Sequence, residues 1–405
     1  MDDEKRQQEL IATAARVLTP NYKQAPIVLA RGQGSTVWDV AGKKYLDLTA
    51  GIAACPLGHA HPRLTLAIAE QASKLIHVSN LFFNAPQIEL AARLTELARG
   101  MGPTRAFFCN SGAEANEAAI KLAKRFQTSV RGHSDRVEIL SFEGSFHGRS
   151  IATVALTGQE KYRSGFGPLV EWARIVPFPT DENDRRALDP ISEKTCAVII
   201  EPIQAEGGIR KPPTGFLQAL RARCNETGTV LIFDEVQTGI GRTGHWFGFD
   251  RAGVAPDVIS LAKGLAGGVP IGAILAREEF AQALTAGSHA STFGGNPLAS
   301  AAALENLRTI EEEKLLEQVV ARGSYLEKKL SALVAKHARA KGVRGVGLLR
   351  GLALDEDASP IVARARERGV LLSVAGGTVV RFAPPFIVSE AELDQGVAAL
   401  DAALQ

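Results

Sequence analysis

Between about residues 62 and 285, short uninterrupted apolar runs alternate with stretches whose apolar positions recur every three to four residues. The runs Arg105–Cys109, Val137–Phe142, Ala197–Ile200, Val230–Phe233, Val258–Leu261 and Ile271–Leu275 predict strands. The intervening periods predict helices, among them Ala113–Phe126 and Phe216–Thr227, the latter stopped by Gly228. Strands that are apolar throughout and separated by helices predict a mostly parallel sheet covered on both faces.

The two ends of the chain follow different patterns. Residues 1–50 predict a short helix, an extended stretch containing Pro26 and a hairpin, with Val37-Trp38-Asp39 and Tyr45–Leu48 alternating either side of Gly42. After Asn296-Pro297 a long helical stretch begins, with proline suited to a first turn. Short strands near Val343–Leu354, Leu371–Val374 and Val379–Phe382 follow, and Ser389 with Glu392 announces a last helix by a capping box. The expected organisation is an N-terminal segment, 1–60, packing with a small α+β domain, 296–405, beside a large α/β domain, 61–295.

Composition narrows the classes of function. The chain has 405 residues and a net charge of +2, with no long Lys/Arg block to track phosphates, which argues against nucleic acid as a main partner. The start, Met1-Asp2-Asp3-Glu4, is polar, and no run approaches the roughly 18 apolar residues of a membrane span. Cys55, Cys109, Cys196 and Cys224 lie far apart with no Cys-x-x-Cys spacing, so free thiols in a reducing cytoplasm are expected.

Three stretches carry candidate chemistry. The buried run Val230–Phe233 ends in Asp234-Glu235, which places carboxylates at the carboxyl edge of a parallel sheet. Such acids also hold magnesium, a ribose or a helix cap. The run Val258–Leu261 delivers Lys263, followed by Gly264, Gly267 and Gly268. Lysine is rarely placed where a strand dives into a sheet unless it is paired. Phe108-Cys-Asn-Ser111-Gly112-Ala113 turns a strand straight into a helix, whose free N–H groups form an anion seat; a plain cap at Ser111 would look similar. A phosphate seat, a strand-end acid and a strand-end lysine together suit pyridoxal phosphate. Gly239-Ile-Gly241-Arg-Thr-Gly244 spells a dinucleotide fingerprint, but no helical period follows it. His59-Ala-His61 has no acidic or cysteine partner at ligand spacing, so a turn before Pro62 is expected rather than a metal site.

Over nearly its whole length the sequence resembles the class-III aminotransferases, fold type I pyridoxal-phosphate enzymes. The resemblance rests on Leu261-Ala-Lys-Gly-Leu-Ala-Gly, Phe233-Asp-Glu-Val-Gln237, Asn110-Ser-Gly-Ala-Glu-Ala-Asn-Glu117, Gly144-Ser-Phe-His-Gly-Arg149-Ser and Ser291-Thr292-Phe-Gly-Gly-Asn296-Pro. It implies that Lys263 anchors the cofactor, that Asp234 holds the pyridine nitrogen and that Gln237 meets the phenolic oxygen. Ser111, Gly112 and Ala113 would seat the phosphate, Phe146 would stack on the ring, and Glu235 and Val236 would complete the cofactor site. Thr292 would reach the phosphate of a partner subunit, which implies a homodimer with shared sites. Arg149, Ser291, Tyr22 and Arg381 would bind substrate, and Glu206 would pair with Arg381 when an ω-amine is present. Without the resemblance, Phe146 suits a core and the Glu206–Arg381 pair a structural role. The Asn80–Gln87 stretch resembles the branch acting on N2-acetylornithine, with 2-oxoglutarate as acceptor, in arginine biosynthesis. At Ile52 the ornithine branch is expected to carry tyrosine, and Ala205 stands where the family usually has glycine.

Overall fold

The computed structural model describes residues 3–405. At its centre lies a seven-stranded sheet with the spatial order Thr104–Cys109, Gly272–Arg277, Val258–Leu261, Val230–Asp234, Thr195–Ile200, Glu138–Phe142, Ala173–Val176. The last five pair in parallel. Gly272–Arg277 runs antiparallel to both of its neighbours, so Thr104–Cys109 regains the direction of the rest. The reversal has a simple cause. The chain between Leu261 and Gly272 is shorter than the dozen or more residues that a parallel crossover needs.

The central strands are the most deeply buried. Every residue of Val230–Asp234 and Thr195–Ile200 is buried. Fully burying a Val, Leu, Ile or Phe side chain stabilises by roughly 1.5–3 kcal/mol, so these strands make a rigid platform for whatever follows their ends. The edge strand Ala173–Val176 was not among the expected strands. It buries only Val176 and carries Arg174 in its middle, so it has no apolar run to betray it.

Two smaller sheets complete the fold. The hairpin strands Thr36–Asp39 and Lys44–Asp47 pair antiparallel, joined by Leu29–Gln33 on one side. Val370–Leu371 adds in parallel to Lys44–Asp47 and so ties the C-terminal region to the N-terminal segment. The other sheet is antiparallel, in the order Ala340–Val346, Leu349–Leu354, Val379–Phe382, Ser373–Ala375. Helices Pro297–Glu312 and Leu315–Lys336 connect it to the large sheet. Asn296 caps the first of them through Ala299 N. At the far end Ser389 and Glu392 form the expected capping box before Glu390–Ala403.

Candidate active site

The carboxyl ends of Thr104–Cys109, Val258–Leu261, Val230–Asp234, Thr195–Ile200 and Glu138–Phe142 share one edge of the sheet. Ligands of open α/β sheets bind outside such an edge. Here it borders a cavity of about 370 Å³ lined by Ser111, Phe146, Arg149, Glu206, Asp234 and Lys263, among others. That volume lies within the usual range for a small-molecule site.

Lys263 follows Leu261 by two residues and adopts φ +37°. A non-glycine residue there is strained, and such strain gathers at functional sites. Burial pushes its ammonium below the usual lysine range and Arg381 adds to this, while the acidic side chains of Glu206, Asp234 and Glu201 oppose it. The result is an amine that gives up its proton more readily than a surface lysine.

Asp234 is fixed from three directions. Its Oδ2 accepts from Asn116 Nδ2 at 2.8 Å and lies 2.8 Å from His147 Nδ1. Its Oδ1 accepts from Val236 N at 3.0 Å. Asn116 also donates to the His147 carbonyl at 2.7 Å, so helix and loop close around one carboxylate. The loop approaches this closely because residue 148 is glycine: a Cβ there would lie 2.8 Å from the Ala113 Cβ.

The anion seat forms where Cys109 turns into the helix Gly112–Arg125. Ser111 is its N-cap, accepting from Glu114 N at 3.2 Å, which leaves the hydroxyl hydrogen free to donate. The N–H groups of the first turn have no intrahelical acceptor and carry the positive end of the helix dipole. Gly112 is required by its neighbour, since a Cβ would meet Val236 Cγ1 at 2.7 Å.

Charge is distributed unevenly around the cavity. Arg381 Nη1 donates to Glu206 Oε1 at 2.5 Å, and its Nε donates to Ser373 Oγ at 3.0 Å from the next strand. Burial alone would raise the Glu206 carboxyl, but Arg381 and Lys263 hold it below its ordinary value. Gln237 Nε2 approaches Glu206 Oε1 at 3.5 Å, while Gln237 Oε1 is buried without a partner among the described residues. Arg149, by contrast, has no carboxylate partner among the described residues and lies against the rings of Tyr162 and Phe146.

Not every expected site residue lines the cavity. Glu235 turns the other way: its carboxylate accepts from Gly248 N and Phe249 N at 2.9 and 2.8 Å, capping the helix Gly248–Ala252, and burial raises it to about 7. Side chains alternate along the chain, so the neighbour of an inward Asp234 points away. Tyr22 is 76% exposed and lies outside the cavity lining. Thr292 is exposed and Ser291 Oγ accepts from Gly294 N at 3.1 Å, both on a loop outside the cavity of their own chain. Arg381 lies behind Glu206 rather than in the lining.

Asn116 and His147, which lie within the motifs, and Glu201, at the end of the strand Thr195–Ile200, add to the site. Asn116 lies one helical turn beyond the anion seat, where i+4 spacing returns it to the same face. His147 follows Phe146. Glu201 follows a buried strand just as Asp234 does, and the same strand-end rule would have found it. Its Oε1 accepts from Phe146 N at 2.9 Å and its Oε2 from Ala205 N at 3.0 Å. Burial, then Asp234, raises it to about 8. Elsewhere, the Gly239–Gly244 stretch opens no helix, and Arg242 donates to the carbonyls of Leu348 and Pro384. His59 Nε2 lies 2.8 Å from Asp47 Oδ2, and His61 precedes the helix Pro62–Lys74 as its N-cap.

Known proteins are similar to this one over nearly the whole chain. An acetylornithine aminotransferase of Myxococcus xanthus is 50% identical over 387 residues, 95% of each chain. One from Methanocaldococcus jannaschii is 47% identical over 381 residues, 94% of each. Among solved structures, the ornithine aminotransferase of Toxoplasma gondii superposes with a TM-score of 0.92 at 31% identity, covering 98% of this chain and 94% of that one. The sequence profile described as "Aminotransferase class-III" matches residues 17–404, and the chain belongs to that family.

Proposed function

We propose that this enzyme transfers the δ-amino group of N2-acetylornithine to 2-oxoglutarate, giving N-acetylglutamate 5-semialdehyde and glutamate, as in the making of arginine. The observation that carries the reading is the contrast between two arginines beside one cavity. Arg381 is neutralised by Glu206 at 2.5 Å, while Arg149 is left without a carboxylate. One pocket can then take an ω-amine with a single carboxylate, or a dicarboxylate once Glu206 gives way. The 50% and 47% identities to acetylornithine aminotransferases, over nearly the whole chain, support the acylated donor. So does Ile52, an aliphatic side chain where the ornithine branch is expected to have a tyrosine.

The cofactor is pyridoxal 5'-phosphate, which supplies when bound an electron sink that no side chain offers. The site fits it: Gln237 Oε1 is a buried acceptor without a partner among the described residues, and the seat at Ser111 offers unused donors. Ser111, Gly112 and Ala113 would hold the phosphate, Phe146 and Val236 the ring, Asp234 the pyridine nitrogen, Gln237 the phenolic oxygen, and Lys263 the covalent bond. Lys263 Nζ takes the proton from the δ-carbon of the donor as general base. In the second half-reaction it delivers a proton to the α-carbon of what becomes glutamate. Arg149 binds the distal carboxylate of 2-oxoglutarate, and Arg381, freed from Glu206, grips the α-carboxylate with its planar fork.

We further assign a homodimer with Thr292 reaching the partner's cofactor phosphate. Leu81, Phe82, Phe83 and Phe293 are 86, 66, 93 and 58% exposed. Asn80 Nδ2 donates to the carbonyls of Ser291 and Gly294, each at 2.9 Å, so the apolar segment and the Thr292 loop form one surface. A contiguous exposed apolar surface of this kind supports an interface. Ser291 and Tyr22 are kept as substrate contacts only in that dimer. The free cysteines Cys55, Cys109, Cys196 and Cys224 support a cytosolic location. The test of the substrate is kcat/KM with 2-oxoglutarate for acetylornithine, succinylornithine, ornithine and 4-aminobutyrate. Acetylornithine should lead; a higher value for another donor replaces it.

A further inference from the structure

Arg149 carries an unpaired charge on a long side chain at the rim of the cavity, which raises the question of what holds it in place. No hydrogen bond or ion pair to another described residue does so. Its guanidinium carbon instead lies 4.2 Å from the centroid of the Tyr162 ring and 5.6 Å from that of Phe146. The two rings meet edge to face, their centroids 5.4 Å apart at 80°. Tyr162 is half-buried on the one-turn helix Glu160–Arg163, and its hydroxyl has no hydrogen-bond partner among the described residues. It is the ring, not the hydroxyl, that the structure uses.

We propose that Tyr162 is a specificity-determining positioning residue, which pre-orients Arg149 to receive the substrate carboxylate. The inference rests on the reading of Arg149 as the carboxylate ligand. A guanidinium held over an aromatic face is attracted through its charge, so the contact does not use up its N–H groups, which remain for a carboxylate. An arginine without the ring would have to give up rotamer freedom on binding, a cost of ordering that falls directly on affinity. Lys161, whose ammonium lies 4.7 Å from the same ring, places a second positive charge at this end of the cavity. The edge contact with Phe146 also links the arginine to the residue proposed to lie against the cofactor ring. Tyr162 itself lies outside the cavity lining. It acts through Arg149.

The experiment uses the cofactor-loaded enzyme and glutarate, a dicarboxylate with no amino or keto group to react. Its dissociation constant is measured by calorimetry for wild type, Y162F, Y162L, R149A and the double variant R149A/Y162L. Melting temperature and the visible absorbance of the bound cofactor establish that each variant is folded and loaded. Y162L should weaken glutarate about two- to fivefold, on the scale expected of a cation–π contact at an exposed site. Y162F, which keeps the ring, should restore wild-type affinity, and Y162L should add nothing once Arg149 is gone. If R149A leaves glutarate binding unchanged, the reading of Arg149 itself fails. If R149A weakens binding but Y162L does not, or if Y162F loses as much as Y162L, the Tyr162 inference is overturned while Arg149 stands.

Discussion

Arg381 Nη1 lies 2.5 Å from Glu206 Oε1, on a guanidinium that is only 2% exposed. Strand Val379–Phe382 carries the arginine, and the loop after Thr195–Ile200 carries the acid, so the pair spans the small antiparallel sheet and the large one. A buried arginine left without its partner would be costly. The Glu206 carboxylate removes that cost whenever no α-carboxylate is present.

Lys263→Ala should abolish turnover while leaving a chain that still takes up the cofactor without a covalent bond. After borohydride reduction and proteolysis of wild type, mass spectrometry should find the cofactor on the peptide containing Lys263. Label on any other lysine moves the anchor elsewhere.

Asp234→Asn keeps the shape but replaces a carboxylate that already accepts from Asn116 and Val236. A neutral amide cannot hold the pyridine nitrogen protonated. We expect kcat to fall by about 10²-fold or more, the scale of removing a principal electrostatic stabiliser. Near wild-type turnover in steady-state assays would make Asp234 a structural residue.

Glu201 gives a pH signature. Its folded pKa, about 8, stands above the ordinary carboxyl value near 4.5, chiefly through burial. The folded state therefore holds the proton more tightly than the unfolded one. The stability this contributes is fully present below about 4.5 and is lost as pH rises towards 8. Glu201→Gln cannot titrate. Melting temperatures from pH 5 to pH 9 should thus fall more steeply for wild type than for the variant, by roughly a few degrees across the range. Parallel curves would mean that Glu201 is ionised in the fold.

The proposed dimer predicts that Phe82→Asp with Phe83→Asp yields monomers that retain cofactor poorly, read by sedimentation and by absorbance after dialysis. Thr292→Ala should leave the dimer intact and weaken cofactor retention alone. Monomers that hold the cofactor as well as wild type would remove Thr292 from the site.

The sequence made the platform legible because its physics is local. Apolar runs such as Val258–Leu261 are buried on both faces, and Gly228, Ser389 and Asn296 punctuate helices by their own chemistry. Lys263 and Asp234 were visible because charge at the end of such a run is unusual. Ala173–Val176 was not visible, because an edge strand with one buried residue has no apolar signature. The direction of Gly272–Arg277 was implicit in a connection too short for a crossover. Glu235 stands beside Asp234 in the sequence, and only the alternation of side chains shows that it turns away to the helix Gly248–Ala252. The roles of Asn116, His147 and Tyr162 depend on loops meeting across the fold, and no spacing along the chain encodes that meeting.

The most direct test of the central claim, one cavity serving two differently charged substrates through Glu206 and Arg381, is single-turnover absorbance with each substrate in turn. Glu206→Gln should leave or improve the glutamate half-reaction and slow the acetylornithine half-reaction. The difference should be on the order of 1–3 kcal/mol, the cost of a buried partner left unmatched. Arg381→Ala should do the reverse and harm the glutamate side more. Equal losses on both sides in both variants would contradict the account and reduce the pair to a structural ion pair.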